Sequence, residues 1–232
     1  MKIGIIGAVK KEVEMLKKII HSFTPKNVKN YTIYEGTSTN NKIFLIQSGI
    51  GKVCASISTM NLIHLCNPDV IINSGSAGSL TSSLKIGDII IPKETCYYDV
   101  DLTNFGYKIG QIPQYPKKFL INKIMFNSFK KQNTTIDHLN IMMGLIVSGD
   151  SFIRKNMLIK NNFPSAIAVD MESTAIAQVC HKFTIPLIVV KSISDLSDNN
   201  ATINFKKNLS IASLRSAEFV KIILENFMEI IQ

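Results

Sequence analysis

Short β-branched runs alternate with longer amphipathic stretches along the whole chain, and that alternation restricts the fold more than any single motif does. Strands that return through helices to lie side by side make an α/β protein with a largely parallel sheet. Strand candidates are Lys2 to Ile6, Tyr31 to Tyr34, Ile43 to Gln47, Val70 to Asn73, Asp88 to Ile91, Met142 to Ser148, Ile167 to Val169 and Leu187 to Ser192. Between them Val13, Leu16 and Ile20 recur at helical spacing and mark one apolar face, and Val53, Ile57, Met60 and Leu65 mark another. Phe205, Leu209, Ala212, Phe219, Ile223 and Phe227 do the same in a long C-terminal helix. No tandem repeat, low-complexity linker or composition break interrupts the pattern, so residues 1–232 are expected to form one domain.

Composition removes several classes of function. With 46% apolar and 19% charged residues the chain is not a disordered protein. No apolar run approaches the roughly 18 to 20 residues that span a bilayer. Lys10, Lys11 and Glu12 cut off the stretch from Ile3 to Val9 before a signal-peptide core is complete, so the N-terminus is expected to begin the first strand. A net charge of +9 raises nucleic acid as a partner, yet only Arg154 and Arg215 are arginine and the lysines fall in scattered pairs. Drift in composition explains that surface better, and neither a nucleic acid nor a membrane is expected as a partner. Four cysteines and four histidines lack any ligand spacing. No metal is expected, and Cys54, Cys66 and Cys180 on helical stretches are expected as buried, reduced thiols of a cytoplasmic protein.

Ligands of open α/β sheets bind at the carboxyl edge of the strands. The residues expected there are Gly7, Ala8 and Glu12 after the first strand, and Ser48-Gly49-Ile50-Gly51-Lys52 and Ser74-Gly75-Ser76-Ala77-Gly78 after two others. Ser148-Gly149-Asp150-Ser151-Phe152, Asp170-Met171-Glu172 and Ser192-Ile193-Ser194-Asp195 end the remaining three. Small residues let backbone approach a ligand, and Glu12, Glu172 and Asp195 bring carboxylates to the same edge. Singly, Glu12 reads as a residue complementing a helix dipole, and the other two read as caps or surface acids. Together, with no metal spacing and no nucleophile–base pair, they suggest acid/base work on a neutral substrate. The irregular stretch from Tyr98 to Lys118 carries Phe105, Tyr107 and Tyr115, which argue for an ordered, functional loop.

The segments MKIGIIGA with Glu12, SGIGK at 48–52, PDVIINSGSAG at 68–78, FGY at 105–107, GLIVSGDSFI at 144–153, AIAVDMESTAIAQVC at 166–180 and SISDLSD at 192–198 resemble those of bacterial 5'-methylthioadenosine/S-adenosylhomocysteine nucleosidases. The resemblance runs in order over nearly the full length. It implies a nucleoside phosphorylase-like α/β domain with a mixed central sheet flanked by helices, assembled as a homodimer. The implied reaction is hydrolysis of the N-glycosidic bond of methylthioadenosine and S-adenosylhomocysteine, and of 5'-deoxyadenosine as well. Such chemistry asks for an acid at the base and a carboxylate or water at the sugar, with no cofactor.

By resemblance Glu12 activates the attacking water, and Asp195, beside Ser194, protonates the departing adenine. Met171 and Glu172 hold the ribose. Phe152 stacks on the base, and the Ile153 backbone bonds its edge. Ser76, Ala77 and Gly78 line the floor, Ile50 touches the 5' substituent, and Phe105 and Pro113 close a neighbouring subunit's site. Two residues depart from the family pattern: Lys191 stands where arginine is expected, and Asp170 where glutamate is common. A phosphate-dependent purine nucleoside phosphorylase of the same fold would want clustered arginines, which are scarce here. A non-catalytic nucleoside-binding protein would be expected to have lost Glu12 or Asp195.

Overall fold

The computed structural model describes residues 1–20, 23–28, 31–121, 135–136 and 139–226. Its elements in chain order are β1 (Lys2–Gly7), α1 (Lys10–Ile19), β2 (Thr24–Val28), β3 (Tyr31–Ser38), β4 (Asn41–Gln47), α2 (Lys52–Cys66), β5 (Val70–Ser79) and β6 (Ile89–Tyr97). There follow a 3₁₀ turn (Thr103–Phe105), β7 (Phe119–Leu120), β8 (Thr135–Ile136), β9 (Leu139–Ser148), α3 (Met157–Asn162), β10 (Ala166–Asp170), α4 (Ser173–Phe183), β11 (Leu187–Asp195) and α5 (Ala201–Glu225). The expected alternation is present.

The strands join in the order β10-β9-β6-β11-β5-β1-β4-β3-β2. β1 runs parallel to β4 and β5, β11 parallel to β5, and β9 parallel to β6 and β10, whereas β2–β3, β3–β4 and β6–β11 are antiparallel, so the sheet is mixed. β10 also curls back to pair antiparallel with the end of β5, through Val169↔Gly78 and Ala168↔Ser79. That pairing closes β5, β11, β6, β9 and β10 into a ring. One end of the ring brings Gly78 between Asp195 of β11 and Val169 of β10.

Alternating side chains feed two cores, as a strand period of two requires. Ile3, Ile5, Ile43, Leu45, Ile72 and Val190 pack with Val13 and Leu16 of α1 and with Phe219 and Ile223 of α5. On the other face Ile6, Phe44, Ile46, Ile71 and Val189 pack with Leu62 and Ile63 of α2 and Ile176 of α4. Each such side chain, fully buried, contributes about 1.5 to 3 kcal/mol relative to exposure. Phe227 lies outside the described residues.

Several expectations need correction. β5 and β11 do not stop at Asn73 and Ser192 but run on through Ser79 and Asp195, so the small residues of the edge lie in extended strand rather than in loops. β2 was not anticipated because TPKNV has no apolar face. It is an exposed edge strand, where Pro25 is tolerated. α2 is turned the opposite way from its expected face: Val53, Ile57, Met60 and Leu65 are exposed, while Ala55, Ser58, Thr59, Leu62, Ile63 and Cys66 face inward. The helix is apolar all round, and its small residues take the close-packed side. Cys54 is therefore exposed, whereas Cys66, Cys96 and Cys180 are buried free thiols whose pKa values burial pushes up to about 11, 11 and 12.

Candidate active site

A cleft at the ring's carboxyl end is lined by Ala8, Val9, Glu12, Ile50, Ser76, Ala77, Gly78, Phe152, Asp170, Met171, Glu172, Ser194, Asp195 and Phe205. A wider groove along Phe119, Leu120, His181 and Pro186 shares none of these residues and gathers no carboxylate.

Glu12 is buried at the third position of α1. Its Oε2 accepts hydrogen bonds from the Ala8 N–H at 2.8 Å and the Val9 N–H at 3.1 Å, so it does complement the helix start. Its Oε1 reaches across to accept the N–H of Ser76 at 2.9 Å and its hydroxyl at 3.0 Å. One side chain thus both complements the helix start and lines the cleft. A Cβ on Gly75 would lie 2.7 Å from Oε1, so only glycine leaves room for this carboxylate.

Gly78 does the same for the other end. A Cβ there would meet Asp195 Oδ1 at 2.9 Å and the Ser197 hydroxyl closer still. Asp195 Oδ1 accepts the Ser197 N–H at 3.0 Å, and Oδ2 accepts the Ser194 hydroxyl at 2.9 Å. Burial raises its pKa, against these two hydrogen bonds and with a smaller push from Asp198. Buried beside it, the Ser197 Oγ has no hydrogen-bond partner among the described residues and borders the small cavity that continues the cleft past Phe152 and Ile153.

At the Glu12 end lies Lys191, level with Gly75 and completely buried on β11, with its Nζ 3.0 Å from Asp170 Oδ2. Burial alone would discharge the amine, but Asp170, Glu172 and Glu12 outweigh it and raise its pKa. Asp170 also accepts hydrogen bonds from the Ser148 hydroxyl at 2.5 Å, the Ser173 N–H at 3.1 Å and the Ser173 hydroxyl. The two departures from the family pattern are therefore each other's partner. Glu172 accepts the Gly51 N–H at 2.9 Å. Burial, with Asp170 and Glu12 adding to it against Lys191 and Gly51, pushes the Glu172 carboxyl up to about 7.

The structure brings Glu12, Ile50, Ser76, Ala77, Gly78, Phe152, Met171, Glu172, Ser194 and Asp195 around one cleft, with Ile153 on its small extension. Phe105, 77% exposed, and Pro113 do not line their own chain's cleft. Sequence reading gave no role to Phe205, whose ring meets that of Phe152 edge-on at 5.5 Å, nor to Ser197. Phe205 carried only a helix-face signal, and Ser197 lay inside a recognised segment without a chemical signal of its own.

The ring-closed mixed sheet and a cleft of paired carboxylates define a class, and the family model described as the phosphorylase superfamily matches residues 2–225. A 5'-methylthioadenosine/S-adenosylhomocysteine nucleosidase of Buchnera aphidicola subsp. Acyrthosiphon pisum is 63% identical over 232 residues, covering 99% of this chain and 100% of the relative. The crystal structure of such a nucleosidase from Neisseria meningitidis, in complex with methylthio-immucillin-A, is 37% identical with a TM-score of 0.92, covering 97% and 99% of the two chains. The Streptococcus pneumoniae nucleosidase with the transition-state inhibitor MT-ImmA is 35% identical with a TM-score of 0.93, covering 98% and 100%. The chain belongs to the 5'-methylthioadenosine/S-adenosylhomocysteine nucleosidase family of the phosphorylase superfamily.

Proposed function

We propose that this cleft hydrolyses the N-glycosidic bond of 5'-methylthioadenosine and S-adenosylhomocysteine, and of 5'-deoxyadenosine, releasing adenine and the 5-substituted ribose for methionine salvage. The observation that carries the reading is that β5 leaves a glycine gap for each of two carboxyl groups, Glu12 at Gly75 and Asp195 at Gly78. Glu12 takes a proton from water, whose oxygen bonds to the anomeric carbon. Asp195 gives its proton to the adenine ring as the bond to the sugar breaks. Its raised pKa suits a donor. The sugar passes through an oxocarbenium-like state, and Glu172, with Met171 beside it, holds the ribose hydroxyls and faces that charge. Phe152 stacks on the base with the Ile153 backbone at its edge, Ala77 and Ser194 support the floor, and Ile50 meets the 5' substituent.

The phosphate-dependent alternative lacks support, because among the described residues no arginine lines the cleft and the buried ammonium behind it, Lys191, is engaged by Asp170. Adenine release from methylthioadenosine, measured with and without phosphate, tests the reading. Equal rates are expected, and ribose 1-phosphate as the main product overturns it.

Residues 1–232 are read as one nucleosidase domain acting as a homodimer in the cytoplasm. The exposed stripe of Ile50, Val53, Ile57, Met60 and Leu65 on and before α2, with exposed Phe105, supports a two-fold interface through which Phe105 and Pro113 complete the partner's pocket. A fully active monomer in sedimentation would count against it.

A further inference from the structure

Helix α2 begins without a cap of its own. Gly51 precedes it at φ 93°, a conformation that favours glycine, and offers no side chain to the free N–H groups of the first turn. Two carboxylates from distant segments take them. Glu172 accepts the Gly51 N–H at 2.9 Å, and Asp150 Oδ1 accepts the Lys52 N–H at 2.8 Å. The Lys52 side chain closes the arrangement: its Nζ donates to Asp99 Oδ2 at 2.7 Å and lies 3.8 Å from Asp150 Oδ2, while Asp99 Oδ2 also accepts the Asp150 N–H at 3.0 Å. The segments leaving β4, β6 and β9 are thus pinned at one ammonium, one bond away from the carboxylate that ends at the ribose. None of Lys52, Asp99 or Asp150 lines the cleft.

We propose that Lys52 is a positioning residue for the hydrolysis, clamping Asp99 and Asp150 so that the Gly51 N–H is held against the Glu172 carboxylate. The inference rests on the reading of Glu172 as the ribose-binding group. Glu172 faces Lys191 on β11, Asp170 on β10 and Glu12 on α1, and Gly51 is the N–H donor that favours its ionised form. Releasing the Gly51 turn removes that donor and leaves burial and two like charges opposed by Lys191 alone, so the carboxyl protonates at higher pH and accepts sugar hydroxyls less well. The surface location of Lys52, Asp99 and Asp150, each partly exposed, keeps the fold itself from depending on the clamp.

The test compares Lys52→Met, Lys52→Arg, Glu172→Gln and the Lys52→Met/Glu172→Gln double variant, by kcat and KM for methylthioadenosine across pH, with adenine affinity and thermal unfolding as controls. Lys52→Met is expected to raise KM about tenfold and to move the acid limb of kcat/KM upward in pH. Adenine affinity and the unfolding temperature stay near those of the parent, and Lys52→Arg recovers most of the loss. In the double variant the Lys52 effect disappears, because its target is gone. Losses that multiply, or an acid limb unmoved by Lys52→Met, overturn the clamp. A parental KM in Glu172→Gln overturns the ribose assignment instead.

Discussion

The two ends of the cleft use the same functional group in different surroundings. On the proposed reading one end takes the sugar and the other the base. At the sugar end Glu12, Glu172 and Asp170 surround the buried ammonium of Lys191, and their oxygens are further held by backbone and hydroxyl donors. At the base end Asp195 is equally buried, but its partners are a serine hydroxyl and a backbone N–H, and among the described residues it forms no ion pair. An ammonium favours carboxylates, which is what a developing sugar cation needs opposite it. Burial raises the pKa of Asp195 with no ammonium opposing it, which is what a proton donor needs, whereas the rise of Glu172 to about 7 is opposed by Lys191. Identity of side chain therefore says less about role here than the sign of the nearest charge.

The largest effect that would break this comparison comes from the sugar end. Glu12→Gln should keep ligand affinity while kcat falls by roughly 10²- to 10⁴-fold, because the amide cannot accept the water's proton. Near-normal turnover would leave Glu12 as a helix cap and nothing more. At the base end, Asp195→Asn should cut cleavage of adenine substrates by roughly 10²-fold or more. An acid at Asp195 can give its proton to N7 while its other oxygen accepts from the exocyclic amine, and a 6-oxo purine meets that oxygen with another at about 1 to 3 kcal/mol. The amide nitrogen can donate to the 6-oxo group, so kcat/KM for methylthioadenosine and methylthioinosine should draw closer together in the variant. Unchanged discrimination would move the base-reading role elsewhere.

The ion pair of Lys191 with Asp170 at the sugar end gives the next effect in size. Lys191→Met removes the ammonium from between three carboxylates while leaving them buried, and the loss of one partner from a buried pair costs about 3 to 5 kcal/mol. Denaturant unfolding should show that loss, and ribose-dependent binding should weaken while affinity for free adenine stays within about threefold, since Asp195 does not depend on Lys191. Equal weakening of both would mean that the two ends are not electrostatically separate.

Much of this was legible in the sequence because the alternation of strands and helices dictates which edge carries the ligand, and the glycine- and serine-rich segments mark where strands reach it. The orientation of α2 was not legible. Apolar residues occur on all its faces, so periodicity cannot choose between Leu62–Ile63 and Val53–Ile57, and only the close approach of the sheet selects the smaller side. The union of Lys191 with Asp170 was hidden for a related reason. Read singly, each was an isolated departure at a family position, and only the pairing of both β10 and β11 with β5 brings the two together. The ring closure between β10 and β5 left no sequence signal, since Gly78-Ser79 reads as a loop.

The smallest expected effect is a slope of stability with pH, to which both ends contribute with the same sign. Glu172 titrates near 7 in the folded protein against an ordinary value near 4.5. Between those values the folded state keeps a proton that the unfolded chain has released, so this group's favourable contribution is complete below about pH 4.5 and is lost as pH rises through 7. The full change amounts to about 1 to 3 kcal/mol. Asp195 has the same sign by the direction of its shift. The parent's stability from denaturant titrations at pH 5 to 8 should fall more steeply than that of Glu172→Gln. Activity runs the other way if, as proposed, the ionised Glu172 accepts the sugar hydroxyls: kcat/KM should rise with pH up to about 7, and that limb should vanish in Glu172→Gln. A Glu172→Gln protein with the parent's slope and limb would assign the titration to the base end, and the contrast between the two ends would fail.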